Sequence, residues 1–266
     1  MQQYLEYSDE VAKAIQHKKP ILALESTLIT HGLPYPHNLY IAKTVEDIAR
    51  EKNVVPATIA IIKGKIKIGL EGEEITLLAQ DKRTIKASRR DIPYALSQKL
   101  TAGTTVAATL FCAHLAGIKV FATGGIGGVH RGMDLDISAD LIELARTPLA
   151  VICAGVKAIL DLPKTLEFLE TYSIPIVGYR SSRLPAFYTS ETSHLLPARV
   201  DDIETLVELL NIHWQCGMTS SVIITNPIPE QDEISLAEIE PIIQCAIKKA
   251  TLNQIQGKAI TPFLLQ

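Results

Sequence analysis

Short continuous runs of Ile, Val, Leu and Ala recur along the chain, separated by longer stretches whose apolar residues return at helical spacing. "PILALEST", "PATIAIIKGKIKIGL", "GIKVFATGG", "LAVICAG", "IPIVGYR" and "SSVIITNP" read as strands. "YIAKTVEDIAREK", "GTTVAATLFCAHLAG", "SADLIELART", "DIETLVELLNIHWQ" and "SLAEIEPIIQCAIKKATLNQ" read as helices. Strands apolar throughout are buried on both faces, and their alternation with helices predicts an α/β chain with a mainly parallel, doubly covered sheet. "ATIAIIKGKIKIG" differs: two alternating runs meet at Lys63-Gly64, which predicts a hairpin and so a mixed sheet or a small side sheet. No repeat, low-complexity tract or long linker interrupts the 266 residues, so a single domain over 1–266 is expected.

Composition narrows the class. Apolar residues make up 47% against 21% charged, enough for a sizeable core and against wholesale disorder. A net charge of -3 offers no basis for general nucleic-acid or membrane-surface binding, although one small phosphate can still find a local basic site. The longest apolar runs are about eight residues, where a membrane-spanning helix needs roughly 20. Cys112, Cys153, Cys216 and Cys245 are widely spaced and form no CxxC pair, so they read as reduced core thiols of a cytoplasmic protein.

In a parallel sheet, ligands bind beyond the carboxyl ends of the strands. "ILALEST" ends there in Glu25, Ser26 and Thr27. A carboxylate emerging from an apolar strand suits a general acid, or else serves as a cap or ion pair; the nearby His31 adds little by itself. "GIKVFATGG" runs into "GGIGGVHRGMDLDISAD", whose glycines let backbone N–H groups approach an anion. Ser138 is placed to cap the next helix. Asp136 and Asp140, on either side of it, stand with Asp134 as helix-start carboxylates or as a site for a hard cation such as Mg²⁺ or Mn²⁺.

"TIKASRRDIPYA" brings Lys86, Arg89, Arg90 and Asp91 after a further strand, and Gly103, Thr104 and Thr105 open a helix whose N–H groups, with Lys86, can bind phosphate. Arg89 and Arg90 read as loop-bracing ion pairs. In "LAVICAGVKAILDL", Lys157 reads as the first turn of a helix among apolar residues. Helix dipole and desolvation there both favour an uncharged, nucleophilic amine, the alternative being a lysine that snorkels to solvent.

Taken in order, "ALESTLITHGLPYP", "PATIAIIKGKIKIGL", "SRRDIPYAL", "GTTVAATL", "AGIKVFATGGIGGVHRG", "DISADL", "VICAGVKAILDL", "ETYSIPIVGY", "LPAFY", "TNPIPEQ" and "TPFLL" resemble the pseudouridine-5′-phosphate glycosidase family over nearly the whole chain. The resemblance implies a three-layer α/β/α fold and a homotrimer. It implies cleavage of pseudouridine 5′-phosphate to uracil and ribose 5-phosphate, with a divalent metal, Mn²⁺. Lys157 would be the imine-forming nucleophile, Glu25 the proton donor, and Asp136 the metal residue, acting through waters. Lys86, Val106, Thr123, His130, Ser138, Ala139 and Asp140 would contact substrate, with Asp140 also assigned ring opening and proton shuttling. Compared with such relatives, the loop "MDL" between "HRG" and "DIS" is short, and the chain stops at "TPFLLQ" where they continue with a helical segment that carries an asparagine near the phosphate.

Overall fold

Lys63 and Gly64 both adopt positive φ, 48° and 78°, the geometry of a two-residue turn whose twist matches the strands it joins. The expected hairpin is therefore present. The structure, a computed structural model, describes residues 1–132, 136–255 and 260–264. Its contacts divide into two units, Met1–Ala122 and Thr123–Gln266.

In the first unit the elements are β1 (Leu5–Tyr7), α1 (Asp9–Gln16), β2 (Ile21–Leu24), α2 (His37–Glu51), β3 (Val55–Ile62) and β4 (Lys65–Ile68). They continue with α3 (Gly72–Gln80), β5 (Ile85–Ala87), α4 (Ile92–Ser97), β6 (Ala102–Thr104), α5 (Val106–Leu115) and β7 (Val120–Ala122). Parallel pairs β1–β4, β2–β3, β2–β7 and β5–β6 share a sheet with the antiparallel pairs β3–β4 and β3–β6. β3 is the centre of this sheet, and Ala57, Ile59, Ala60 and Ile61 are fully buried. A cluster of Ile29, Ala42, Ala60, Leu70, Ile75 and Leu78 packs α2 and α3 onto it.

The second unit holds β8 (Val129–His130), α6 (Ala139–Leu144), β9 (Ala150–Cys153), β10 (Leu160–Asp161), α7 (Leu162–Thr171) and β11 (Ile176–Tyr179). β12 (Ala198–Val200), α8 (Ile203–Gln215), β13 (Val222–Thr225), α9 (Leu236–Leu252) and α10 (Ile260–Leu264) follow. β9, β13, β11 and β12 are parallel neighbours in that order, while β8 and β10 form a small antiparallel pair. Ala150, Val177, Val200, Leu206, Val222 and Ile224 make the core beside α8. The fold class is the one expected: three-layer α/β/α, with a mainly parallel mixed sheet and a small antiparallel hairpin sheet. No helix among the described residues is long and apolar enough to cross a membrane.

Two of the four cysteines depart from the expected core placement. Cys112 and Cys153 are buried, but Cys216 and Cys245 are exposed. Cys216 caps the end of α8 and Cys245 lies on an outer position of α9, so neither belongs to an apolar stripe.

One buried charge stitches three elements of the first unit. Glu46 of α2 is 4% exposed; its carboxylate accepts a 2.6 Å bond from the Thr58 hydroxyl of β3 and a 3.0 Å bond from Arg50, which also reaches Glu10 of α1 at 2.9 Å. Burial pushes the Glu46 carboxyl above the usual glutamate range despite these donors. The folded protein therefore holds a proton there more readily than the unfolded chain. That contribution to stability is full below the ordinary glutamate value and is lost as pH rises through the raised one. Glu46→Gln removes this slope. The unfolding free energy of wild type relative to the variant should be most favourable near about pH 4 and shrink toward neutrality; a flat difference across that range would contradict it.

Candidate active site

β2 ends in Leu24, and the half-buried Glu25 is the next residue. What fixes its position is a knot of buried hydroxyls just beyond. Ser26 donates to the Ile59 carbonyl of β3 at 2.6 Å and accepts the Thr104 N–H of β6 at 2.9 Å. Thr104 donates to the same carbonyl at 2.6 Å and accepts the Thr109 hydroxyl at 2.9 Å. Ser26, Thr104 and Thr109 are fully buried, so these bonds replace water where β2 and β6 end against the middle of β3.

Lys86 lies within β5 rather than after it, opposite Gly103 of β6 in the ladder. Gly103 and Thr104 accordingly belong to a strand, not to a helix start. α5 begins at the buried Val106 because Thr105 is extended and its hydroxyl accepts the Ala108 N–H, the geometry of an N-cap. The first unit thus brings together the ends of β2, β5 and β6 with the start of α5, and with them Glu25, Lys86 and Val106. Arg90 pairs with Asp91 at 3.8 Å, and Arg89 lies over the Phe111 ring.

His31, which has little meaning in the sequence, acquires one here. It sits in a π-helical turn, Leu28–Gly32, that follows β2. The Thr30 hydroxyl donates to the Ser26 carbonyl, so the His31 Nδ1 found 2.7 Å from that hydroxyl must be the donor to it. Burial, and then the Lys86 charge, hold the imidazole below its ordinary pKa. The Nδ1–H is therefore turned to Thr30, in surroundings that disfavour the charged ring. No spacing rule signals this, since Lys86 comes from a distant strand.

In the second unit the glycine-rich segment is bonded along both sides. On one side, the Thr123 N–H donates to Ile152, the Ala154 N–H to Gly124, the Ile126 N–H to Gly155 and the Lys157 N–H to Ile126. On the other, Gly127 N–H donates to Asp140 Oδ2 at 3.0 Å, Ser138 N–H to the Gly128 carbonyl and His130 N–H to the Asp136 carbonyl. Gly127 has to be glycine: a Cβ there would fall on the Ser138 and Asp140 side chains. The segment thereby draws Thr123, His130, Asp136, Ser138, Ala139, Asp140 and Lys157 into one bonded framework. Ser138 is the N-cap of α6 as expected, accepting the Asp140 N–H. Asp134 and the rest of "MDL" lie outside the described residues.

Lys157 is not in the first turn of a helix. It stands in a turn between β9 and β10, closed by the Leu160 N–H donating to the Lys157 carbonyl at 3.0 Å. The helix waits until Leu162, because Asp161 caps it and Pro163 suits its first turn. Lys157 is half-buried between buried Val156 and Ala158. Cys153, at the end of β9, is buried, and burial pushes its thiol up to about 12. Phe187 rests against Gly124 and Gly125 with its φ at 60°, a rare conformation for a bulky residue and one the pattern of the sequence does not announce.

Asp136 carries the metal question. Its Oδ2 is buried without a hydrogen-bond partner, and no group of three or more His, Cys, Asp or Glu suited to a metal occurs among the described residues. A single orphaned carboxylate oxygen fits a hard cation that keeps most of its waters.

The family model described as "Indigoidine synthase A like protein" matches residues 10–266. A protein of Caldanaerobacter subterraneus named pseudouridine-5′-phosphate glycosidase is 52% identical over 268 residues, covering 100% of this chain and 87% of the relative. One of the same name from Staphylococcus aureus is 50% identical, with 100% and 87% covered. The chain belongs to the pseudouridine-5′-phosphate glycosidase family. Among solved structures, prealnumycin C-glycosynthase in complex with ribulose 5-phosphate superposes with a TM-score of 0.89 at 41% identity, over 99% of this chain and 86% of that one. An indigoidine synthase A-like protein of Thermotoga maritima gives 0.89 at 34% identity, covering 98% and 85%. Within this glycosidase family fold, the motif "ALEST" is the hydroxyl knot and its carboxylate neighbour, while "GGIGGVHRG", "DISAD" and "CAGVKAIL" are the bonded framework of the second unit.

Replacing Ser26 with Ala takes the acceptor from a fully buried Thr104 N–H. The expected cost is about 1–3 kcal/mol in a urea unfolding titration, and a loss below about 0.5 kcal/mol would contradict the knot's role.

Proposed function

We propose that this chain is an enzyme that cleaves the carbon–carbon glycosidic bond of pseudouridine 5′-phosphate, giving uracil and ribose 5-phosphate. The observation that carries the reading is identity of about half over the whole chain to proteins of that name. The neighbour solved with ribulose 5-phosphate supports a sugar phosphate as the ligand class.

The chemistry explains the residues. Ordinary glycosidases expel an oxygen or nitrogen leaving group with two carboxylates. A carbon leaving group needs an electron sink instead. The Lys157 amine attacks the anomeric carbon, the bond from that carbon to the ring oxygen breaks, and the ring oxygen takes a proton. The nitrogen lone pair then forms C=N as the carbon–carbon bond breaks, and the uracil carbon that held the sugar keeps the electron pair and receives a proton from Glu25. Water hydrolyses the imine, releasing ribose 5-phosphate and regenerating the amine. Asp140 is assigned to ring opening and proton shuttling, with Oδ2 oriented by Gly127. Lys86, Val106, Thr123, His130, Ser138 and Ala139 contact the substrate.

Asp136 would hold Mn²⁺ through waters, and such a cation supplies positive charge that stabilises negative charge developing on the substrate. A homotrimer is the assembly that goes with this reading, which the sedimentation mass reads directly. The nucleotide substrate and four free thiols support a cytoplasmic setting.

Purified protein with pseudouridine 5′-phosphate and Mn²⁺ should release uracil, followed by ultraviolet difference. Lys157→Ala should lower turnover by at least about a thousandfold and abolish borohydride trapping with ribose 5-phosphate. Trapping without uracil release would point to a lyase acting on another phosphosugar. Asp136→Ala should weaken Mn²⁺ binding about 10–100-fold by calorimetry, and unchanged binding would remove Asp136 from the metal site.

A further inference from the structure

Two carbonyls of the segment that presents Lys157, those of Ala158 in the turn and Leu160 at the start of β10, each receive a side-chain donor. Both residues are nearly buried, at 4% and 2% exposure, so their carbonyls need a donor. Arg131 supplies it. Its Nε donates to the Leu160 carbonyl at 2.9 Å and its Nη2 to the Ala158 carbonyl at 2.9 Å. The outer edge of the same guanidinium grips Glu240 of α9, with Nη1 to Oε1 at 2.5 Å and Nη2 to Oε2 at 3.2 Å. Gln244, one turn along α9, donates to Glu240 Oε1 at 2.7 Å and orients the carboxylate. Arg131 itself directly follows His130, which is paired with Leu160 between β8 and β10.

We infer that Arg131 is a positioning residue for the Lys157 amine: tethered by Glu240, its guanidinium clamps the turn between β9 and β10 in the conformation from which the amine acts. The inference rests on the reading that Lys157 is the reacting amine. Only a planar fork with several donors can satisfy two backbone carbonyls and a carboxylate at once, which is why a lysine at 131 would not serve. The clamp faces the main chain of the turn, and it leaves the Lys157 side chain to the substrate. It also ties a helix of the C-terminal part of the chain to the chemistry, since α9 reaches the turn through Glu240.

The test is the rate at which borohydride traps ribose 5-phosphate on Lys157 in the whole protein, alongside the affinity for ribose 5-phosphate. Arg131→Ala should slow trapping about 10–100-fold, with affinity changed by less than about threefold. Free guanidinium should restore part of the rate, a result that loss of general stability would not give. Arg131→Lys should also trap slowly although its charge is kept, and Glu240→Gln should slow trapping by a smaller factor. If Arg131→Ala does not fold, the latter two variants decide. Wild-type trapping rates in the variants would overturn the clamp while leaving the reading of Lys157 intact. Lost affinity with an unchanged trapping rate would make Arg131 a binding residue and overturn it likewise. Absence of trapping at Lys157 in the wild type would overturn both the reading and the inference.

Discussion

The bond from the Gly127 N–H to the buried Asp140 carboxylate is the constraint on which the second unit's chemistry depends. A carboxylate 6% exposed requires donors, and a backbone N–H reaches it only where no Cβ intervenes. That single contact holds the middle of the glycine-rich segment. One residue back, Ile126 aligns with Val156 and receives the Lys157 N–H; one residue on, the Gly128 carbonyl receives the Ser138 N–H. Lys157, Thr123, His130, Ser138, Asp140 and the turn of Asp136 are therefore parts of one bonded object. A framework of this kind fixes polar groups before substrate arrives, so that little reorganisation remains for the reaction itself.

The first unit solves a related problem with side-chain hydroxyls. Where β2 stops pairing with β3 and β6 ends, backbone groups would be buried without partners. Ser26 and Thr104 both donate to the Ile59 carbonyl, and Ser26 covers the Thr104 N–H. Glu25 emerges from a strand end that cannot drift. His31 is held by the same economy, because Thr30 turns its donor to Ser26 and leaves its oxygen for the imidazole.

The long apolar strands were legible because burial on both faces leaves an unmistakable run, as in β2, β3, β9 and β13. The Lys63-Gly64 hairpin and the Ser138 cap were legible because each depends on neighbouring residues alone. β6 was not, and β5 only as a strand ending before Lys86, since three-residue strands have no period and exist through pairing, β6 with β3 and β5 with β6. "VKAILDL" has helical spacing, yet local chemistry at Asp161 and Pro163 starts the helix later, and the turn before it is stabilised by Arg131. That partner, and the partnership of Arg131 with Glu240 across 109 positions, is invisible to any local rule. Resemblance to a family located the candidate residues; only the structure tells which groups hold them.

Cys153 and Lys157 lie on one short segment, the first buried and the second half-buried. Burial pushes the Cys153 thiol up to about 12, so the thiolate is scarce at neutral pH. Sulfur is intrinsically the better attacker of an electrophilic carbon, but here it is present almost entirely as its inert acid. Burial thus works as a filter on sulfur chemistry: it keeps the Cys153 thiol in its inert acid form and spares it the oxidation that an exposed thiolate would invite.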